Sequence, residues 1–351
     1  MAKKKSYEFD VSSIIKDAGK IIRQRVGYDR VCAEIFKTMP MGEYKTGNTV
    51  LLDELQRYLN ENDWASYTRA CSRHNLIPSS FMKYLEENYN CKQTNESSLY
   101  IDQNDGNLEF LNGVYLPLLG YLAITSKGSL MGIGRVGLPN LSILIIQMNN
   151  GSLAGLEDLY SESLNYLTID YRIGNQPNTP ILELESSYLP NLETLQIGGN
   201  AWSSIEYLNR FNFQNLKNLT ISSAIQSDVP DLILGEIDWS RYPNLRFLEI
   251  SLEFTSKNYI VLDRRIESLK KLIIFSPRGL LKIDGNIQMN NLKKLYVNIT
   301  RAEDLCGLIA PNLTEIGCRW ESNNPIPDDI NDRIRVILKN KHLIVVMNIP
   351  F

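Results

Sequence analysis

Histidine is nearly missing from this chain: His74 and His342 are its only two. They lie in different segments, so no histidine pair suits a metal ion, and neither has a nucleophile close by in sequence. Cysteine is sparse and unpaired. Cys32, Cys71, Cys91, Cys306 and Cys318 form an odd set without a C-x-x-C, which argues against a disulfide framework or a zinc knuckle and favours a reducing compartment. Charge of one sign is not in excess, since 37 lysines and arginines face 40 acids for a net charge of -3. Nothing global therefore pulls the chain toward nucleic acid or an anionic membrane. No apolar run approaches a membrane span, and the opening MAKKKSYEFD passes from basic to polar residues without the apolar stretch of a signal peptide. The expectation is a cytoplasmic protein with no membrane attachment. Six N-x-S/T triplets, at Asn95, Asn140, Asn150, Asn218, Asn298 and Asn312, then read as chance in an asparagine-rich chain rather than as glycan acceptors.

The chain does contain GIGRVG at residues 132–137, the spelling of a phosphate-cradling G-x-G-x-x-G, with Glu157 and Asp158 near where a ribose-binding acid would stand. Those glycines would have to leave a strand and open a helix whose amides face the pyrophosphate. LPNLSILII follows instead, and Pro139, Ile143, Ile145 and Ile146 come too soon to leave room for that helix. The stretch reads as a tight connection whose glycines permit positive φ, and no cofactor is expected. Asp328, Asp329 and Asp332 after Pro327 read as a helix start favoured by the dipole, and Cys306 and Cys318 as small apolar fillers. No constellation suits catalysis, so a binding role is expected rather than an enzyme.

The phrase LPNL recurs. Aligned on LPNLETLQI at 189–197, the same frame returns as LPLLGYLAI, LPNLSILII, SESLNYLTI, FQNLKNLTI, YPNLRFLEI, IESLKKLII, MNNLKKLYV and APNLTEIGC, starting at residues 116, 138, 161, 213, 242, 266, 289 and 310. Its second apolar position falls at Leu119, Leu141, Leu164, Leu192, Leu216, Leu245, Leu269, Leu292 and Leu313, in steps of 21 to 29 residues. In x-L-x-I-x the two apolar side chains share one face of a strand, because the side-chain period is two. One copy cannot bury its leucines alone, so stability must come from stacking neighbours.

With this L-x-x-L-x-L pattern, as in Leu192, Leu195 and Ile197, the region from about residue 116 to the C-terminus resembles a leucine-rich repeat solenoid. The resemblance implies an α/β fold: a curved parallel β-sheet of about nine repeats, with returns as short helices, 3₁₀ turns or loops on the convex side. The polar turn residue of that family appears as Asn149 and Asn200, but Arg172, Ala224, Glu253, Pro277 and Thr300 stand in its place elsewhere. The asparagine ladder is therefore expected to be mostly absent.

Residues 1–97 carry no copy of the repeat and read as an N-terminal helical domain before a repeat domain over 98–351. Ile14, Ala18, Ile21, Ile22, Val31, Ile35 and Phe36 keep helical spacing around a break near Gly27, and three further helices are expected up to Tyr89. Within residues 66–87, RACSRHNLIPSSFMKYL resembles a transposase-type helix-turn-helix. That resemblance puts Ala70 at the small position, Leu76 in the turn, Phe81 and Leu85 in the core, and Ser80, Met82, Lys83 and Glu86 toward a groove. Residues 51–100 carry 5 basic and 7 acidic side chains, which does not suit phosphate contacts. A cap on the solenoid is the other reading of these helices. SLYIDQNDGNLEFL at 98–111 suggests a β-hairpin around Asp105 and Gly106, and a C-terminal cap from about 325 reads as a helix followed by a last covering strand.

The frame also predicts which side chains face the concave surface. These are Tyr121, Ile143, Ile145, Tyr166 and Asp170 toward the N-terminal side, then Gln196 and Thr220. Phe247, Glu249, Lys271, Ile273, Phe275, Lys294, Tyr296, Asn298, Gly317 and Arg319 follow toward the C-terminal side. Aromatic rings on an open sheet suit a macromolecular partner, here expected to be a protein. The alternative is a nucleic-acid-binding regulator that uses the helix-turn-helix-like segment.

Overall fold

Each of the nine copies forms a strand, and together they stack into a parallel β-solenoid in the computed structural model. It describes residues 64–65, 68–69 and 79–347, apart from 96, 104–107, 112, 131–132, 134–135, 150–152, 154–155, 157–158, 172–180, 200–204, 226–231, 255–258, 277–279 and 321–325. The helices expected before residue 64 lie outside the described residues, as do Ala70, Leu76, His74 and the turn around Asp105 and Gly106.

The chain enters through helix α1 (Ser79–Asn88) and the antiparallel hairpin β1 (Cys91–Asn95) and β2 (Ser98–Gln103). The expected hairpin over 98–111 is not formed: residues 98–103 pair back onto β1, and Glu109–Leu111, expected as its second strand, forms a 3₁₀ turn. The main sheet continues with β3 (Tyr121–Ser126), β4 (Ile143–Met148), β5 (Tyr166–Tyr171), β6 (Thr194–Gly199) and β7 (Asn218–Ile225). From there the chain alternates sides. β8 (Leu232–Ile233) lies on the return side, β9 (Phe247–Phe254) in the main sheet, β10 (Tyr259–Leu262) on the return side and β11 (Lys271–Phe275) in the main sheet. β12 (Leu280–Ile283) and β13 (Ile287–Gln288) return, β14 (Lys294–Ile299) rejoins, and β15 (Leu308–Ile309) returns. β16 (Glu315–Trp320) and β17 (Ile344–Met347), joined through helix α2 (Ile330–Ile337), close the main sheet. From β2 onward all its neighbours are parallel.

The register puts like on like. Leu99, Leu122, Leu144, Leu167, Leu195, Leu219, Leu248, Leu272, Leu295 and Ile316 form one ladder. Ile101, Ile124, Ile146, Ile169, Ile197, Ile221, Ile250, Ile274, Val297 and Cys318 form the next. All are buried, and each leucine so removed from water contributes about 1.5–3 kcal/mol. Leu99 stands 23 residues before Leu122, so β2 is a further rung that the repeat frame did not include.

Two features of the returns differ from expectation. Only α1 and α2 are α-helical segments of a turn or more among the described residues, so the α/β class gives way to a β-solenoid with few helices. The early returns use 3₁₀ turns such as Ile181–Ser186 and Ile205–Arg210, and the later ones add to such turns a three-stranded parallel sheet of β12, β10 and β8 and a two-stranded one of β13 and β15.

The asparagine ladder is present, but before the strands instead of after them. Asn140, Asn191, Asn215, Asn244, Asn291 and Asn312, the third residue of the LPNL frame, each donate Nδ2 to a carbonyl of the preceding repeat at 2.6–2.9 Å. Ser163 substitutes with its hydroxyl on the Leu141 carbonyl at 2.8 Å. Each bond satisfies a backbone acceptor in the turn between coils.

Both ends are covered. Trp64 packs against Phe81 and Tyr84, with ring centroids 5.2 and 4.7 Å apart, and the Thr68 hydroxyl accepts the Tyr115 N–H at 2.9 Å. At the far end Ile330 and Ile334 of α2 are buried, and Asn340 Nδ2 donates to the Leu313 carbonyl at 2.6 Å. No helix of the described residues is long and apolar enough to cross a membrane.

Candidate functional site

Strand parity puts the expected face residues on one side of the main sheet, the side read above as concave, and all but two of them are open there. Tyr121, Ile143, Ile145, Tyr166, Asp170, Phe247, Glu249, Lys271, Ile273, Phe275, Tyr296 and Arg319 are half-buried and Lys294 is exposed, while their strand neighbours point into the core. Gln196 and Thr220 share that face, and Leu195 and Leu219 are buried. Two expectations fail. Asn298 is 1% exposed, because its Nδ2 donates to the Ser276 carbonyl, and Gly317 is buried between its register neighbours Tyr296 and Val346. Burial at Asn298 also rules it out as a glycan acceptor in the folded chain.

The face divides into two clusters. Toward the N-terminus, register lines up Tyr121, Ile143 and Tyr166 on adjacent strands. Tyr100 of β2 joins them, with its ring 5.3 Å from that of Tyr121. Burial, and then its hydrogen bond with Tyr100, push the Tyr121 phenol above its ordinary pKa. Tyr166 donates its hydroxyl to Gln196 Oε1 at 2.9 Å, and Thr168 donates to the same oxygen at 3.3 Å.

Toward the C-terminus, cations lie on rings. Lys271 Nζ is 5.0 Å from the Phe247 centroid and 5.3 Å from that of Tyr296, and the Arg319 guanidinium is 5.1 Å from that of Phe275. Glu315 joins two of the strands by accepting the Tyr296 hydroxyl and pairing with Lys294 Nζ at 2.7 Å. Lys294 and then Tyr296 hold the Glu315 carboxyl below the usual range; burial and then Glu315 raise Tyr296.

Sequence reasoning missed Tyr100, and Ile344 and Val346 on β17, which are 59% and 38% exposed on the same side of the sheet. Tyr100 was recoverable from the 23-residue spacing of Leu99 to Leu122. β17 has no LPNL lead-in that would have fixed its register.

Other candidates resolve into structure. Gly137 of GIGRVG pairs with Tyr115, whose Cδ2 would lie 2.5 Å from a Cβ at that position. Close approach, rather than the expected positive φ, therefore requires this glycine. Gly132, Gly134, Glu157 and Asp158 lie outside the described residues. A cleft of about 410 Å³ beside it, lined by Arg69, Tyr115, Gly137, Tyr160 and Glu162 among others, includes none of the expected face residues. Ser79 opens α1, and Phe81 and Leu85 are in the core, where the helix-turn-helix resemblance put them. Met82, expected toward a groove, is buried, while Glu86 and Glu87 are exposed. Cys318 is a buried rung whose thiol is pushed up to about 12 by burial, whereas Cys306 is exposed and so is not the apolar filler expected. His342 is exposed, with its N–H on Asn340 Oδ1.

No protein-family profile matches the chain, and no curated protein matches it. The functional reading therefore rests on the geometry of the face.

Proposed function

We propose that this chain is a leucine-rich repeat protein that binds a protein partner through the open, concave face of its main sheet. On this reading the helical region within residues 1–97 caps the repeat domain of 98–351, the role is binding and not catalysis, and the setting is the cytoplasm. The observation that carries the reading is the division of labour along each strand. The L-x-I side chains are enclosed in two continuous ladders, while alternate positions hold large, half-buried rings that no described element packs over. Such rings most often dominate interface energies, and their removal leaves the core untouched. The docking of Thr68 on Tyr115 supports the cap. Nucleic-acid contact through residues 66–87 draws support from the helix start at Ser79, but buried Met82 and exposed Glu86 and Glu87 weigh against it.

The test replaces Tyr166, Phe247, Phe275 and Tyr296 with alanine, confirms unchanged circular dichroism and melting, and repeats affinity capture of partners from the native lysate. Loss of about 2 kcal/mol or more, nearly thirtyfold in affinity, is expected. A folded variant that retains the same partner at the same affinity would place binding elsewhere.

A further inference from the structure

The residue just before each main-sheet strand forms a column along the rim of the open face. Over four successive repeats that residue is Lys217, Arg246, Lys270 and Lys293. Each backbone N–H from Arg246 onward donates to the carbonyl of its predecessor in the column at 2.8 Å, so the four sit side by side. The position one repeat earlier is acidic, Glu193, and Lys217 pairs with it at 2.5 Å. Arg246, Lys270 and Lys293 are exposed, and none forms an ion pair among the described residues. Beside them on the face, Lys271 rests on two aromatic rings. Like charges on neighbouring strands directly opposite one another repel, so this row costs stability until something of opposite charge covers it.

We infer that this rim binds an acidic helical segment of the protein partner. The inference rests on the open-face reading above and adds the chemistry and shape of what docks there. Neighbouring strands are about 4.8 Å apart, so Arg246 to Lys293 spans about 10 Å across two spacings. Carboxylates at i, i+4 and i+7 of a helix advance about 10.5 Å and meet all three cations. An extended strand repeats same-side residues every 6.6–6.8 Å or so, and three of them overshoot the row by about 3 to 4 Å. Single-stranded nucleic acid fits less well. It needs open ring faces for its bases, whereas Lys271 and Arg319 already lie over Phe247, Tyr296 and Phe275, and Glu249 and Glu315 interrupt the cationic field.

The test uses the full chain and three labelled probes: a lactam-stapled helical peptide with glutamates at i, i+4 and i+7, the same peptide with glutamines there, and a single-stranded oligouridylate. The glutamate peptide should bind at least tenfold tighter than its glutamine twin, with an affinity that falls as salt rises. Replacing Arg246, Lys270 and Lys293 together with glutamate should lose at least tenfold, whereas Lys282→Glu with Lys341→Glu, exposed cations outside the column, should stay within twofold. Should the reversal fail to fold, the glutamine triple at the same positions reads the same loss. Equal affinity for the two peptides, a triple variant within twofold of the parent, or tighter binding of oligouridylate that the triple abolishes would each overturn the inference. If the acidic peptide fails but the aromatic quadruple still loses its captured partner, only the acidic helix falls; if both fail, the open-face reading falls with it.

Discussion

Strands β2 to β6 and strands β7 to β16 share one core and present two different faces. In the first group the open positions hold Tyr100, Tyr121, Ile143, Ile145 and Tyr166 with Asp102 and Asp170, and no lysine or arginine. In the second they hold Lys271, Lys294 and Arg319 among Phe247, Phe275 and Tyr296, with Lys217, Arg246, Lys270 and Lys293 along the rim. The return side changes too: 3₁₀ turns run through both halves, and only the later returns add paired strands. Yet the two ladders of buried aliphatic side chains run through both halves without a break in register. The comparison teaches that nearest-neighbour stacking constrains the inward positions alone. The outward ones are free to differ from coil to coil, and that freedom is where recognition can be written.

A strong way to break this view is to show that the core is not shared. Leu195→Ala in the first half and Leu272→Ala in the second remove equally buried rungs, so each should cost about 2 to 5 kcal/mol in denaturant unfolding. Gln196→Ala, next to the first of these but on the open face, deletes the hydrogen bonds from Tyr166 and Thr168 and should cost about 1 kcal/mol. Equal midpoints for Leu195→Ala and Gln196→Ala would sink the repeat register.

The asparagine column offers a milder probe of the same continuity. Asn191→Ala and Asn291→Ala each delete one coil-to-coil hydrogen bond, of 2.6 and 2.7 Å, and should each cost about 1 kcal/mol. A large loss in one half with none in the other would show that the halves are held together differently.

The smallest effect sharpens the electrostatic side of the comparison. Glu315 is held below its ordinary range by Lys294 and Tyr296, so it binds fewer protons folded than unfolded. Its contribution is present above the unfolded carboxyl value of about 4.3 and is lost as pH falls through the lower folded value. Melting followed from pH 7 to pH 3 should show Glu315→Gln less acid-sensitive than the parent. Identical acid limbs would mean that the pairing adds nothing to stability.

Much of this was readable in advance because alternation and period are local properties of a chain. All nine framed strands, the buried leucines and the helix and strand that close the C-terminus follow from residue spacing alone. The two-residue strands β8, β13 and β15 were not readable, since so short a segment carries no alternation. The asparagine ladder was sought after the strands, although Asn at the third position of LPNL recurs six times in the quoted copies. Parity correctly turned the candidate side chains outward, but it could not bring Lys271 over both Phe247 and Tyr296, a diagonal contact that depends on register and rotamer together.

The most direct test of the central claim splits the aromatic face in two. With the captured partner in hand, its affinity is measured for Tyr121→Ala with Tyr166→Ala and, separately, for Phe247→Ala with Tyr296→Ala, after both are shown to melt like the parent. Binding through the cationic half predicts a loss of about thirtyfold or more for the second pair and a much smaller one for the first. Full affinity in the second pair, with or without a loss in the first, would contradict it.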